Sequence, residues 1–249
     1  MAHYSDLGRE LQELLRLKIS PIGIKYFTKT TDIPEGFEVI QSDCTICQVI
    51  AKARFHEVPV ATTKHAATVC GMGGAVSGFY EIAPDVADGT RNKGAWAKTV
   101  EATRKLAQNR MGIKVGKFEA MGVAPLKNLS VAPDVVQVWG TPVQMLHLVY
   151  AHIWDGGDNV EMSTNGHGAS CYEALVVPYL TGQVKLAMAD IGDHRFAYAA
   201  DDEMITGFPL AHLERIAVNL RESYDAAYRF PYQYHMFSIW EGAMERCKA

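Results

Sequence analysis

The chain has 249 residues, 48% of them hydrophobic, enough to close a sizeable core; this excludes a disordered segment and a small stapled scaffold. Basic residues number 24 against 28 acidic ones and are scattered, and the net charge is -4, so no nucleic-acid partner is expected. Five cysteines, an odd number, with no apolar signal core at the start and no run as long as a membrane span, point to a cytoplasmic protein with reduced or metal-bound thiols and no membrane contact.

Ser5 is expected to cap a first helix, in which Leu7, Leu11, Leu14 and Leu15 recur at helical spacing to about Lys18. "SPIGIKYF" (20–27) alternates like a strand, and the turn-rich "TTDIPEG" separates it from "FEVIQSDCTIC". A helix is expected from Thr45 to His56, then a strand in "VPVATTKHA" and a glycine-dense turn in "VCGMGGAVSG" (69–78). A second helix is predicted from Gly94 to Met111, a buried strand over 133–140, and a helix over 141–154 with Thr141 as cap and Pro142 at its first position. After the loop "DGGDN", "YEALVVPYLTG" reads as a helix, "QVKLAMADIGDHRFAYAADDEMITGFP" as two or three strands, and "LAHLERIAVNLRESYDAAY" as an amphipathic helix. The expected class is α/β or α+β, in a single domain over 1–249.

Thr45-x-x-Gln48 and Thr141-x-x-Gln144 each open a predicted helix, and 22 or 27 residues after the Gln comes a cysteine in a glycine-rich turn, Cys70 or Cys171, preceded by His65 or His167. The pattern predicts two diverged αβ repeats, over 20–125 and 130–225, with a cofactor site at their interface. The alternative is two αβ units that share generic turn residues.

Cys44 and Cys47 form a Cys-x-x-Cys at a helix start, where the helix dipole favours thiolate. The β-branched residues inside "CTIC" and the absence of a thioredoxin-like strand order argue against a redox pair. A metal site needs soft donors from several loops, with glycines that let the backbone turn closely, and Cys70 and Cys171 both have such settings. With Cys47 they would make a three-thiolate site, suited to a 4Fe-4S cluster with one open iron or, with His65 or His167 added, to a four-coordinate zinc. Cys44 could be a fourth ligand. The spacing does not dictate the metal, and small buried thiols packed under tight turns are the competing reading. Gly71, Gly73, Gly74 and Gly78 lack the pattern of a nucleotide-binding loop, so tight turns account for them.

In "ADIGDHRFAYAADDEM", Asp190, Asp193, His194 and Arg195 could bind a carboxylate through the arginine fork and move a proton through His194, or could belong to a solvated hairpin with Asp201, Asp202 and Glu203. His147 and His152 read as core histidines. Tyr228, Phe230, Tyr232, Tyr234, Phe237 and Trp240 suggest a buried seam or subunit contact, and Cys247 an incidental thiol.

"SPIGIKYF", "CTICQVIAKAR", "VCGMGGAVSGFY", "GASCYEALVVPYLTG" and "DIGDHRFAYAADDEMITGFPLAHLERIAVNL", in this order, resemble the prokaryotic domain of unknown function 169 over nearly the whole chain. The resemblance implies that Cys47, Cys70 and Cys171 match the family's cysteines and that Cys44 and Cys247 are peripheral.

The expectation is therefore a metalloenzyme in which Cys47, Cys70 and Cys171 hold an iron–sulfur cluster, with hydratase or lyase chemistry on a small oxygenated substrate. His65, His167 or His194 would move protons, and Arg195 would anchor an anion. The rivals are a closed-cluster or zinc protein for binding or electron transfer, and a cofactor-free enzyme with a cysteine nucleophile. A homodimer is the default oligomer.

Overall fold

The apolar alternations gather into a single sheet. The computed structural model describes residues 3–164 and 166–226. Within them β1 (Ile22–Phe27), β2 (Glu38–Val39), β3 (Val60–Thr63), β4 (Ala120–Pro125), β5 (Val135–Gly140), β6 (Glu161–Met162), β7 (Lys185–Met188) and β8 (Met204–Pro209) form eight strands in the order β2-β3-β4-β1-β5-β8-β7-β6. The class is mixed α/β, antiparallel through the middle with a short parallel pair at each edge. The central strands β1, β4, β5 and β8 are covered on both faces, which is why they read as nearly unbroken apolar runs. The sequence reading passes over β4, "AMGVAP", whose small residues, glycine and proline carry little strand signal.

On one face lie α1 (His3–Leu14), α6 (Pro142–Ile153) and α9 (Leu213–Asp225), burying Leu11, Leu148 and Ile216 against Val136, Val138 and Phe208. The other face carries α2 (Ile46–His56), α3 (Gly73–Val76), α7 (Val176–Thr181) and α8 (Ile191–Phe196), packed over Ile24, Tyr26, Val135, Trp139 and Ile205. Between β3 and β4 the chain also forms α4 (Pro84–Ala87) and α5 (Val100–Gln108), the latter shorter than predicted because Thr99 caps it.

Helix α2 starts where the sequence predicts. The Gln48 N–H donates to Thr45 Oγ1 at 3.1 Å and the Thr45 N–H to Gln48 Oε1 at 2.8 Å, a capping box of the kind that contributes about 1 kcal/mol. The second box, Thr141 with Gln144, opens α6, and Gln144 Nε2 also donates to the carbonyls of Leu15 and Arg16.

Two expectations over 169–209 need correction. The helix expected over 172–182 is a π-helical segment (Ala169–Glu173) followed by α7, and α8 stands between β7 and β8 in place of strand or hairpin. A π turn is a local response to packing, and a six-residue helix leaves little periodic signal.

From each edge inward the strands follow one plan, β2-β3-β4-β1 and β6-β7-β8-β5, with matching parallel and antiparallel senses. At the seam Ile22, Gly23 and Ile24 face Gln137, Val136 and Val135. The two Thr-x-x-Gln helices do not hold matching places in this plan, since α2 joins β2 to β3 and α6 joins β5 to β6. Cys70 follows β3 whereas Cys171 precedes β7, so the expected pairings of Cys70 with Cys171 and His65 with His167 are not those of the strand order. By position Cys47 answers to Cys171. The aromatic stretch from Tyr228 to Trp240 and Cys247 lie outside the described residues. Among the described residues no helix is long and apolar enough to cross a membrane.

Candidate functional site

Cys47 lies in the first turn of α2, Cys70 in the loop before α3, and Cys171 in the π-helical segment. All three line one pocket of about 190 Å³ on the α2 face of the sheet. Gly73 brings two of them together: its N–H donates to Cys70 Sγ at 3.4 Å, and a Cβ on it would stand 3.6 Å from Cys171 Sγ. The neighbouring Cys171 thiol as a hydrogen-bonding partner, then burial, then the charges that Cys171, Asp193 and Cys70 would carry hold the Cys47 pKa well above the ordinary thiol value. Burial, and next Cys171, raise Cys70, opposed by the Gly73 and Met72 N–H groups and by Arg110.

The loop carrying Cys171 is fixed from two sides. Gln137 of β5 donates from Nε2 to the carbonyls of Ser170 and Ala174, at 2.7 and 3.1 Å. From α8, Asp190 accepts the Ala169 N–H at 2.6 Å, while Asp193 accepts the Ser170 N–H at 3.1 Å and the Ser170 hydroxyl. Two glycines permit the close approach. Gly168 enters the segment at φ 86°, the left-handed region, and Gly207 of β8 leaves room where a Cβ would stand 2.0 Å from the Ala174 carbonyl oxygen.

Asp193 is fully buried, and burial first, then the charge of Asp190, push its pKa up to about 6. A folded-state value above the unfolded one means that the native chain keeps the proton longer. This contribution to stability is complete below the unfolded value, near pH 4, and is lost as pH rises through about 6. Asp193→Asn keeps an acceptor for the Ser170 N–H and turns its amide toward the Ser170 hydroxyl. Near neutral pH the variant is expected to exceed wild type by up to about 3 kcal/mol, with the gain vanishing by about pH 4. Urea unfolding at both pH values checks this, and a gain that ignores pH rules the titration out.

The remaining walls are Met72, Ile191 and Phe196 on the apolar side and Arg110, His167 and Arg195 on the polar side. The His167 ring stacks on Trp96 with centroids 5.2 Å apart, and Arg110 donates to the His167 carbonyl at 2.6 Å. The Arg195 side chain makes no hydrogen bond or ion pair among the described residues; its guanidinium only lies 5.3 Å from the Phe196 ring.

Of the residues singled out in the sequence, the pocket therefore gathers Cys47, Cys70, Cys171, His167, Arg195 and Asp190. Cys44 is buried elsewhere, with Sγ 3.3 Å from Thr62 Oγ1, and does not line the pocket. His65 is exposed and outside the lining, and His194 is exposed with Nδ1 3.0 Å from the Ala199 carbonyl. His147 and His152 are buried on α6, on the opposite face, where burial lowers both ring pKa values. Sequence reasoning missed Trp96 and Arg110, which sit among generic helix and loop residues without a motif. Among the described residues no group of three or more His, Cys, Asp or Glu side chains is arranged to hold a metal ion.

Comparison with known families matches residues 10–219 to DUF169, described as "Uncharacterised ArCR". The chain is also similar to the uncharacterized protein MJ0308 of Methanocaldococcus jannaschii, 24% identical over 220 residues that cover 84% of this chain and 90% of that protein. No solved structure matches significantly.

Proposed function

The chain belongs to the DUF169 family, whose description assigns no chemistry, and from its pocket we propose that Cys47, Cys70 and Cys171 hold a 4Fe-4S cluster with one iron open to the cavity, in an enzyme of the hydratase or lyase type acting on a small oxygenated substrate. One observation carries the reading: three cysteines from separate segments, 23 and 101 residues apart in sequence, line a single pocket.

The donor set fits such a group. Cys47, buried, and Cys70, half-buried, both resist ionisation, and a cationic centre among them would reverse that penalty and take them as thiolates. The same shifts weigh against Cys47 or Cys70 as a free nucleophile, which needs a depressed pKa. Three thiolates, with Cys44 turned to Thr62 and no fourth cysteine at the pocket among the described residues, suit a cluster with one open iron. The repeat plan of the strands supports a duplicated unit with the site between its halves, Cys47 and Cys70 coming from the first and Cys171 from the second.

An open iron supplies Lewis acidity toward a hydroxyl or carbonyl oxygen. Arg195, uncommitted at the rim, binds an anionic substrate oxygen, and its planar fork sets the orientation. His167, held by its stack on Trp96, is the titratable ring placed to carry a proton. Met72, Ile191 and Phe196 make the wall apolar on one side.

Anaerobic purification followed by iron and sulfide analysis tests the proposal, and a colourless, iron-free chain after anaerobic reconstitution overturns it. Cys44→Ala separates an open from a closed site. Because Cys44 pairs with Thr62, iron content and absorption are expected to be unchanged in the variant; loss of iron would make Cys44 a ligand and close the site.

A further inference from the structure

A second pocket, of about 220 Å³, shares no lining residue with the cysteine pocket. Phe55, at the end of α2, and Tyr198, just past α8, stand at its mouth, 47% and 77% exposed, with rings edge-to-face and centroids 6.2 Å apart. Two exposed aromatic rings beside a cavity are costly to leave in water without use. Deeper in the pocket lies Trp139, 5% exposed, and the Arg54 guanidinium stacks on its ring at 3.7 Å. Arg54 itself is 1% exposed; it donates to Glu203 at 2.6 Å, while its Nε and Nη1 have no partner.

The charges are asymmetric. Arg16 and Lys18 line the pocket, and neither side chain makes an ion pair or hydrogen bond among the described residues. On the acidic side, Glu203 is already taken by Arg54 and by the Ala200 N–H, which leaves Asp202 as the uncommitted acceptor. The backbone adds an independent observation. Among the described residues the non-glycine positions in left-handed conformation are Arg16, Glu57 and Tyr198, at φ 51°, 53° and 52°, and Arg16 and Tyr198 both line this pocket. These two positions close helix ends. Arg16 follows α1, with the Leu17 N–H donating to the Gln12 carbonyl and the Arg16 N–H to that of Glu13, and Tyr198 follows α8, so the helix caps hold both residues at the pocket.

We propose that this pocket binds a flat aromatic ring bearing an anionic group, a ligand of the mononucleotide class. The ring packs against Phe55 and Tyr198, the anion meets Arg16 and Lys18, and Asp202 accepts from a hydroxyl or amino group of the ligand. The Arg54 charge is offset by Glu203, so the attraction for the anion rests on Arg16 and Lys18. This site does not depend on the chemistry proposed for the cysteine pocket.

Adenosine monophosphate is the probe, titrated calorimetrically into the full chain beside adenosine and inorganic phosphate. Saturable binding of the nucleotide at one site per chain is expected, with adenosine and phosphate each weaker by about tenfold or more, since each offers half of the contacts. Arg16→Gly and Tyr198→Asn suit the left-handed backbone while removing the charge or the ring, so each is expected to weaken binding about tenfold with the melting temperature held or raised. No saturable heat from any probe up to about 10 mM overturns the proposal, as does an affinity unchanged in both variants.

Discussion

Purified without oxygen, the chain is expected to carry about four irons and about four sulfides, and Cys47→Ala, Cys70→Ala and Cys171→Ala are each expected to lose most of both. The three thiols act as one donor set, so their effects should not be additive; removing one leaves two ligands, too few to keep a cluster in a pocket open to solvent on its Arg195 side. Folding is a separate readout. Cutting a cysteine side chain back to methyl removes one heavy atom, the sulfur, which costs on the order of 1 kcal/mol, so the metal-free variants should unfold within that margin of metal-free wild type. Loss of iron with a folded chain is thus the signature of a ligand, and loss of iron with collapse of the fold is that of a packing residue. Full iron content in any one of the three variants would exclude that cysteine from the site.

The convergence of these cysteines was legible because each carries a local mark, a helix cap beside Cys47 and glycines around Cys70 and Cys171, and because a chain with scattered charge and no repeat of a compact motif leaves few other places for soft donors. Local marks also misled. Thr-x-x-Gln is the grammar of a helix start and says nothing about which strands the helix joins, so matching Thr45 to Thr141 aligned elements that occupy different places in the strand order. The same grammar was present and unused at Asp190 and Asp193, whose reciprocal capping box starts α8; only six helical residues follow, too few for a periodic pattern to emerge. β4 was hidden for the opposite reason, since its place between β1 and β3 rests on pairing across long separations and not on its own residues. Arg54 and Glu203 lie 149 residues apart, and nothing in either segment announces the other.

Arg54→Ala is expected to be among the most destabilising single changes in the chain, by roughly 3–5 kcal/mol. The side chain is fully buried, packed over Trp139 at 3.7 Å and beside Phe55 at 5.0 Å, so truncation leaves a cavity and removes a cation–π contact. The ion pair itself contributes less than its burial suggests. Desolvation is the largest influence on the guanidinium and lowers its pKa, with Glu203 and then Asp193 acting in the other direction. Two of its nitrogens are unpartnered, whereas the Glu203 side chain is 17% exposed and can turn to water. Arg54→Met therefore separates packing from charge. It restores most of the volume, keeps a contact with the Trp139 ring through sulfur, and releases the unpaired donors, so its cost is expected to stay within about 1–2 kcal/mol of wild type. Urea midpoints at neutral pH, with the slopes compared to show that the unfolded state is unchanged, measure both. If Arg54→Met is as damaging as Arg54→Ala, the charge on α2 holds the β8 entry in place, and packing does not.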